Sequence, residues 1–405
     1  MRRGMLSDLF VGVVSKRLTL VETITPKSNQ HEFQGTRPLR RLLGDEDRRQ
    51  ITTRFLLISG EQEGFSEDGF MSWSNVRKGK PRAAEYHLYY SSNAVTEMMQ
   101  PGDRLFLALQ RDGTMLAIVT ASATIENQLV WLFGLEEQEE FAFTYQEIGD
   151  DSAELDFAAR YILEELGIEP EEPEADQIDT LIERFGLVFP KTGAFSELAR
   201  ASLPDVSAQD DPDLALIAWL EREEQMFRRL ERRIVAERIG GGFEAPDGAD
   251  VDGFLAFSLS VQNRRKSRAG QALEHHLEAV FIAHAIQYAR GAETENRNKP
   301  DFLFPGQHAY RDPDFPASRL TMLGAKSTLK DRWRQVLSEA ERIETKHLLT
   351  LEPGISENQT TEMQIKNLQL VVPRSLHATY RQAQQAWLMD VQSFLALVTQ
   401  RQHGL

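Results

Sequence analysis

The stretch "MLGAKSTLKDRWRQVL", residues 322–337, joins an apolar strand to a helix start that is crowded with charges. The apolar run ends on Lys326, and the charged row 330–332 lies at the start of a helix that we expect over about 328–343. A lysine at the last position of a strand can bury its aliphatic stem and hold its ammonium group at the sheet edge. The pattern therefore predicts a core strand that brings a cation to the edge of a sheet.

The segments around this stretch alternate between helical and extended patterns. They are a helix over 268–291, strands over 301–304 and 320–326, the helix over 328–343, strands over 347–351 and 368–372, and a helix over 380–400. This αββαββα order predicts an α/β fold in which helices cover a mixed sheet.

Two carboxylates and one ammonium group are spaced along these segments. Asp301 opens the first strand, Lys326 ends the second, and Glu339 lies on the helix that is expected next. Adjacent strands would bring Asp301 and Lys326 to one edge, and Glu339 reaches that edge only if its helix folds back across it. Carboxylate oxygens suit Mg²⁺, and a metal held there would promote phosphodiester hydrolysis. The spacing alone is equally compatible with three unrelated surface charges.

Charge divides the 405 residues into unequal parts. The net charge is −16, yet residues 136–183 contain 18 acidic side chains and one arginine, while 256–405 carry a net charge of +4. An acidic, Pro-containing segment of this kind is typical of a solvated linker, or of one that competes with DNA for a basic cleft. The predicted regions are a mostly β domain over 1–135, an acidic linker with short helices over 136–186, and the α/β domain over 187–405.

The first region has three features that can be compared with a structure. Asp112-Gly113 separates two apolar runs, which predicts a hairpin. The segment 123–135 is interpreted as a further strand. A basic loop within 70–90 contains Trp73 and Tyr86, and it suits either phosphate and base binding or a solvated position beside a sheet.

Cysteine usage and hydropathy limit the cellular setting. The chain has no cysteine, so it has neither a disulfide framework nor a thiolate metal site. No apolar stretch approaches the ~20 residues that a spanning helix needs. We therefore expect a cytoplasmic protein with no membrane partner.

Several short sequence motifs of this chain occur, in the same order, in one known family. They are "VQNRRKSRAGQALEHHLE" from 261, "KPDFLFPGQHAY" from 299, "MLGAKSTLKDRWRQVLSEAERI" from 322, "HLLTLEPGIS" from 347 and "LVVPRSLH" from 370. Over about 189–400 the chain resembles the catalytic domain of the EcoRII restriction endonucleases. The resemblance implies a restriction-endonuclease-like fold of the PD-(D/E)xK type.

The resemblance also implies roles for particular residues. In this branch of the family the second acidic ligand lies on the helix after the lysine, and position 324 is indeed Gly. Asp301 and Glu339 would then be the Mg²⁺ ligands, and Lys326 the catalytic lysine. Glu274 and Tyr310 match residues close to the family's catalytic site, and they are included among the catalytic candidates.

DNA contacts are implied at two basic words. Lys330, Asp331 and Arg332 would read consecutive C·G pairs, because Lys or Arg donates to guanine and Asp accepts from cytosine. The word "NRRKSRAG" would contact phosphates or bases through Arg264, Arg265, Lys266 and Arg268. The alternatives are a helix turn with internal ion pairs and a solvated basic loop.

The expected activity is that of a Mg²⁺-dependent type II site-specific deoxyribonuclease acting on a C·G-flanked duplex site. The expected partners are double-stranded DNA, a second copy of the chain and a methyltransferase that acts on the same site, with the last helix and the helix at 214–240 as candidate dimer surfaces. The domain at 1–135 would sense DNA or another effector. Two other hypotheses remain open, namely a nuclease gated by base modification and a DNA-binding regulator without catalytic activity.

Overall fold

The computed structural model describes residues 4–403 except 24–30, 60–63, 137–140, 150–151, 153, 171–174, 246–247 and 330–331. The chain divides into an amino-terminal unit over 3–171, to which residues 353–356 also belong, and a carboxyl-terminal unit over the rest. Within the described residues, no helix combines the length and apolarity needed to cross a bilayer.

The amino-terminal unit is built on an eight-stranded sheet of order β2-β5-β4-β3-β7-β6-β1-β8. Its strands are β1 Phe10–Arg17, β2 Glu32–Gln34, β3 Arg48–Leu57, β4 Phe65–Asn75, β5 Tyr86–Tyr90, β6 Arg104–Gln110, β7 Met115–Thr120 and β8 Thr144–Glu147. Its helices are α1 Leu20–Thr23, α2 Arg37–Leu43, α3 Ala94–Met98, α4 Ala123–Phe133 and α5 Phe157–Glu165. The β3–β7 pair is parallel, and the other pairs are antiparallel.

The structure agrees with the hairpin in this unit and corrects two other expectations. β6 and β7 pair around Asp112-Gly113, and Gly113 has the positive φ that such a turn requires. The segment 123–135 is the helix α4, because Ser122 caps it and its apolar residues pack at helical spacing against the sheet. Trp73 and Tyr86 stack on each other inside the core, 4.9 Å apart, so neither ring is free to stack on a base.

The predicted linker does not correspond to a separate segment. Strand β8 pairs with β1, and α5 packs Ile162 and Leu163 into the core of the amino-terminal unit. Further along, Ile178 and Ile182 lie in the core of the carboxyl-terminal unit, and Asp179 accepts two hydrogen bonds from Arg229. The sequence analysis gave more weight to the acidic residues of this segment than to its apolar ones. The burial of those apolar residues assigns the described parts of the segment to one unit or the other.

The carboxyl-terminal unit contains a five-stranded mixed sheet of order β11-β12-β13-β14-β15 and a small hairpin. Its strands are β9 Glu244–Ala245, β10 Gly248–Ala249, β11 Ala289–Arg290, β12 Phe302–Phe304, β13 Thr321–Lys326, β14 Lys346–Thr350 and β15 Leu368–Val371. Its helices are α6 Ala175–Ile182, α7 Thr192–Ala201, α8 Pro212–Gly240, α9 Val251–Ala283, α10 Gln307–Arg311, α11 Trp333–Val336, α12 Glu357–Ile365, α13 Gln382–Gln385 and α14 Val391–His403. The mixed α/β class is confirmed.

Helices cover the two faces of this sheet differently. On one face, Phe281 of α9 makes edge contacts with Phe302 and Phe304 of β12, and α14 packs against the same side. Side chains alternate along a strand, so Gly324 and Lys326 face the other side, where Val336 of α11 lies. The functional candidates of β13 therefore belong to the face that α11 covers.

Candidate active site

Asp301 and Lys326 meet at one edge of the mixed sheet. β12 and β13 are antiparallel, and this pairing brings the residue before β12 beside the last residues of β13. One carboxylate oxygen of Asp301, Oδ2, accepts hydrogen bonds from the backbone N–H of Ala325 at 2.7 Å and from Lys326 Nζ at 2.8 Å. Both side chains are about one-fifth exposed, at 18% and 22%, so a solvent-borne ligand can reach them.

Glu339 is the third member of this cluster, and it does not lie on a helix. The helix expected over 328–343 is limited to α11, which ends at Val336, and Ala340 has a φ of 50°. The Glu339 side chain is mostly buried, and its Oε2 has no hydrogen-bond partner in the part of the chain that the structure describes. Burial, and secondly the nearby Asp301 charge, raise the pKa of Glu339 to about 7, while Lys326 opposes the shift.

The two carboxylates fit a hard divalent cation. An unpaired buried carboxylate oxygen is costly, and a cation placed between Glu339 and Asp301 would remove that cost. Mg²⁺ commonly takes one or two protein carboxylates and keeps several waters. Across the described ranges, no group of three or more His, Cys, Asp or Glu side chains has a metal-binding arrangement, so the candidate site rests on this pair.

Packing explains why the second acid does not precede the lysine by two residues. A Cβ atom added at Gly324 would lie 3.1 Å from Val336 Cγ2 and 3.3 Å from Leu348 Cδ1. These distances are tighter than ordinary van der Waals contact, so α11 and β14 occupy the space that an acidic side chain at 324 would need.

Comparison with known proteins identifies the domain that carries this cluster. Residues 227–395 match the family described as EcoRII C terminal. Over 190 residues the chain is 46% identical to the type II restriction enzyme EcoRII of Escherichia coli, which covers 47% of this chain and 46% of that enzyme. This family match covers less than half of the 405 residues. The match spans about half the length of this curated relative.

Two solved protein–DNA complexes align with part of the chain. Metal-depleted Ecl18kI in complex with uncleaved, modified DNA aligns with a TM-score of 0.42 and 21% identity, over 57% of this chain and 86% of that one. The complex of the restriction endonuclease PspGI with substrate DNA aligns with a TM-score of 0.44 and 14% identity, over 54% and 95% of the two chains.

Glu274 pairs with an arginine at the edge of the mixed sheet. Arg290 lies on β11 opposite Phe302 and donates two hydrogen bonds to Glu274 Oε2, at 2.6 and 3.0 Å. The same guanidinium group contacts Glu278 at 3.4 Å. Paired residues of adjacent strands share a face, so this ion pair lies on the α9 side of the sheet, whereas Lys326 faces the other side. A catalytic role for Glu274 therefore stays a prediction.

Tyr310 is buried, and its hydroxyl group makes hydrogen bonds within the protein. The hydroxyl donates a 2.5 Å hydrogen bond to Glu295 Oε2 and accepts one from the backbone N–H of Arg342 at 3.3 Å. Burial first, and then the Glu295 carboxylate, raise the pKa of Tyr310 above its ordinary value. These contacts favour a positioning role for Tyr310, in place of the catalytic role that the resemblance implied.

The basic word at 263–270 lies inside the long helix α9, which corrects the alternative of a solvated loop. Arg264 stacks on Phe189, with 4.4 Å from its guanidinium carbon to the ring centroid, and Arg265 pairs with Glu231 at 2.5 Å. The side chains of Arg264 and Lys266 are exposed. We retain these two as the better placed candidates for contact with DNA.

Arg268 is the exception in this word, because it is buried. It pairs with Glu223 at 3.2 Å and also with Glu224, and it lies over the ring of Phe227. On the same cluster, His276 is fully buried with its Nε2 2.9 Å from Glu223. Arg268 therefore stabilises the helix packing, and a contact with DNA would require it to leave these carboxylates.

The second basic word is described only in part. Lys330 and Asp331 lie outside the described residues. Arg332 is exposed and donates a 2.9 Å hydrogen bond to the carbonyl oxygen of Thr328. Its position just before α11 keeps it available on the surface as a candidate for base recognition.

Proposed function

We propose that the carboxyl-terminal unit is a Mg²⁺-dependent, site-specific DNA endonuclease of the type II restriction class. The observation that carries this proposal is the cluster of Asp301, Lys326 and Glu339 within a domain of the EcoRII C-terminal family. Two carboxylates and an ammonium group at a sheet edge are the groups that metal-assisted phosphodiester hydrolysis requires.

Each side chain of the cluster has a role that follows from its surroundings. Asp301 fixes the Lys326 ammonium group at the sheet edge by the 2.8 Å hydrogen bond. Lys326 would orient the attacking water and offset the negative charge that develops on the phosphate. Glu339 would give up its proton when a cation binds, since the positive charge favours its ionised form. The bound Mg²⁺ would polarise the scissile phosphate.

Base recognition is proposed for the charged residues 330–332, of which Arg332 is exposed. Arg332 is suited to guanine, and Lys330 and Asp331 have the chemistry that guanine and cytosine require. A target with C·G pairs at both ends is therefore proposed, with CC and GG around a central A·T pair. The exposed Arg264 and Lys266 of α9 would add phosphate contacts and salt dependence.

The amino-terminal unit is proposed to sense DNA or another polyanion. Its support is a set of exposed basic residues on α2, on β3 and in the loop after β4, among which Asp45, Glu46 and Asp47 are also exposed: Arg37, Arg41, Arg48, Arg49, Lys80 and Arg82. We further propose a homodimer, since cutting both strands of a near-palindrome calls for twofold symmetry. A cytoplasmic setting and a companion methyltransferase complete the restriction–modification hypothesis.

Plasmid digestion tests the proposed activity. Wild-type protein with Mg²⁺ is expected to convert supercoiled plasmid into discrete fragments, and Lys326→Ala to lower the rate by about 10²–10³-fold. Lys366→Ala, which removes an exposed lysine after α12, serves as the matched control and should cut normally. Equal cutting by wild type and Lys326→Ala would show that the site is wrongly assigned.

The same digestion separates the two alternatives. Cutting of methylated plasmid alone would favour a nuclease gated by base modification. Binding without cutting, by a protein that takes up the metal, would favour a DNA-binding regulator. Sequencing the fragment ends would identify the target bases and the cut position.

A further inference from the structure

The turn that carries Glu339 is held by the loop that leads into Asp301. We call this loop, residues 294–298, the acid clamp. Asn298 Nδ2 donates a 2.7 Å hydrogen bond to the carbonyl oxygen of Ser338, immediately before Glu339. Thr294 Oγ1 accepts a hydrogen bond from the backbone N–H of Ala340, immediately after Glu339, at 3.4 Å. The clamp therefore grips the chain on both sides of the acid.

Glu295 is the centre of the acid clamp. Its Oε2 accepts hydrogen bonds from the Tyr310 hydroxyl at 2.5 Å and from the backbone N–H of Glu341 at 3.2 Å. The Tyr310 hydroxyl in turn accepts from the backbone N–H of Arg342. The Arg342 guanidinium group donates to three carbonyl oxygens at the end of α10 and beyond it, those of Tyr310, Asp312 and Phe315.

These contacts replace the hydrogen bonds of a continuing helix. In an α-helix, the N–H of Arg342 would bond to the carbonyl of Ser338. Here the Ser338 carbonyl is taken by Asn298, and the Arg342 N–H is taken by Tyr310. The clamp thus ends the helical path and turns the acid toward Asp301.

Backbone strain on both sides supports a functional reason for this arrangement. Asn296 and Arg297 in the clamp have φ values of 57° and 62°, and Ala340 in the facing turn has 50°. Non-glycine residues in this region are strained, and they persist where the surrounding contacts hold the backbone in place. Such strain is typical of segments that fix a reactive group.

We propose that Glu295 is a positioning residue that sets the separation of the two metal-binding carboxylates. The inference rests on the proposed function of Asp301 and Glu339. Glu295 acts through the turn 338–342, and its hydrogen bonds are to Tyr310 and to the backbone of that turn. Groups that orient metal ligands from behind commonly change metal affinity or activity by about 10–100-fold when removed.

The test compares two substitutions at the same position. Glu295→Ala removes the carboxylate that accepts hydrogen bonds from Tyr310 and Glu341. We therefore expect the affinity for Mn²⁺ to fall by about 10–100-fold, measured by electron paramagnetic resonance without DNA. Glu295→Gln keeps an oxygen that accepts from Glu341 and Tyr310, so most of the affinity should return. Glu293→Ala, which removes an exposed carboxylate just before the clamp, is the matched control and should bind Mn²⁺ as wild type does.

Cleavage kinetics supply a second readout. Glu295→Ala is expected to lower kcat by about 10–100-fold with KM for DNA changed by less than about threefold, because the turn and not the DNA surface is displaced. Thermal unfolding of each variant shows whether the fold is kept. A folded Glu295→Ala protein with wild-type Mn²⁺ affinity and kcat would overturn the inference. Absence of Mn²⁺ binding and cleavage in the wild type would instead overturn the proposed function.

Discussion

Glu339 shows how a single residue can combine function with a cost to stability. Its pKa of about 7 in the folded chain, against an ordinary value of 4.5, arises from burial and from the charge of Asp301. The folded state therefore binds a proton that the unfolded state has released between these two values. The stability that this proton supplies is present below about pH 4.5 and is lost as the pH rises through about 7.

Replacement of this acid gives a prediction with a defined pH dependence. Glu339→Gln should be as stable as wild type near pH 5 and more stable by about 1–2 kcal/mol at pH 8, a value reduced from the full pKa difference because the group is partly exposed. The measurement is chemical unfolding of the metal-free protein at both pH values. Glu344→Gln, at an exposed position nearby, is the control and should show no such difference. An unchanged or negative difference at pH 8 would contradict the assigned environment.

For single residues, the sequence indicated the members of the candidate site better than the residues that contact and support them. Asp301 and Lys326 could be expected to meet because neighbouring strands share an edge, and they do so. The resemblance to the EcoRII family indicated Glu339. Arg290 and Glu295 could not have been found from spacing, since their contacts depend on a two-residue strand and a strained loop that have no periodic signal.

Among the elements, α11 departs most from its sequence pattern. The apolar spacing over 328–343 predicts a helix of four turns, whereas the helix spans four residues. Local preference was overridden by tertiary hydrogen bonds from the acid clamp, which occupy the groups that the next helical turn would use. The strands were more predictable, because β13, β14 and β15 each contain apolar residues and are almost entirely buried, as expected for parallel strands.

The packing of β13 against α11 leads to a prediction at this scale. Gly324→Ala should destabilise the protein by about 1–3 kcal/mol, because the added methyl group would crowd Val336 and Leu348. Gly270→Ala on α9 has open space around its Cβ position and should be neutral or slightly stabilising. Denaturant unfolding of both variants makes the comparison. Equal stability of Gly324→Ala and wild type would show that α11 yields easily and does not exclude an acid at 324.

For the whole molecule, the sequence predicted the classes of the two units but not their boundary. Apolar residues of the acidic segment are buried in both units, as Ile162 and Ile178 illustrate. The division at 171/172 follows from those contacts, which charge counting cannot detect. The match to the EcoRII C-terminal family supports the restriction-endonuclease-like class for the second unit.

The proposed dimer is also a property at this scale, and the structure changes its candidate surfaces. The expected surface on α14 is partly used within the chain, because Phe394 and Leu395 are buried. The end of α8 and the start of α9 instead form a hairpin tip with apolar side chains that are 45–60% exposed, namely Ile239, Val251, Phe254, Leu255 and Leu259. A second copy is the occupant we favour, because the proposed cleavage of both strands of a near-palindrome calls for twofold symmetry.

Substitution at the hairpin tip tests this surface. The double change Leu255→Lys with Leu259→Lys should weaken self-association by more than about 100-fold, because each change occurs twice across a twofold axis. Ile365→Lys, at another exposed apolar position, should leave association unchanged. Sedimentation velocity over a range of concentrations measures the effect. A variant that remains dimeric would place the interface elsewhere.

The acid clamp has one consequence for the proposed site. Asp301 lies three residues after the clamp that holds the Glu339 turn, so both carboxylates are connected to one short stretch of chain. A brief local opening of residues 294–298 would separate the Asp301 and Glu339 carboxylates from each other. The fold of the sheet would stay intact. In the proposed nuclease, a fluctuation of five residues would then disable the site until a cation bound the closed form.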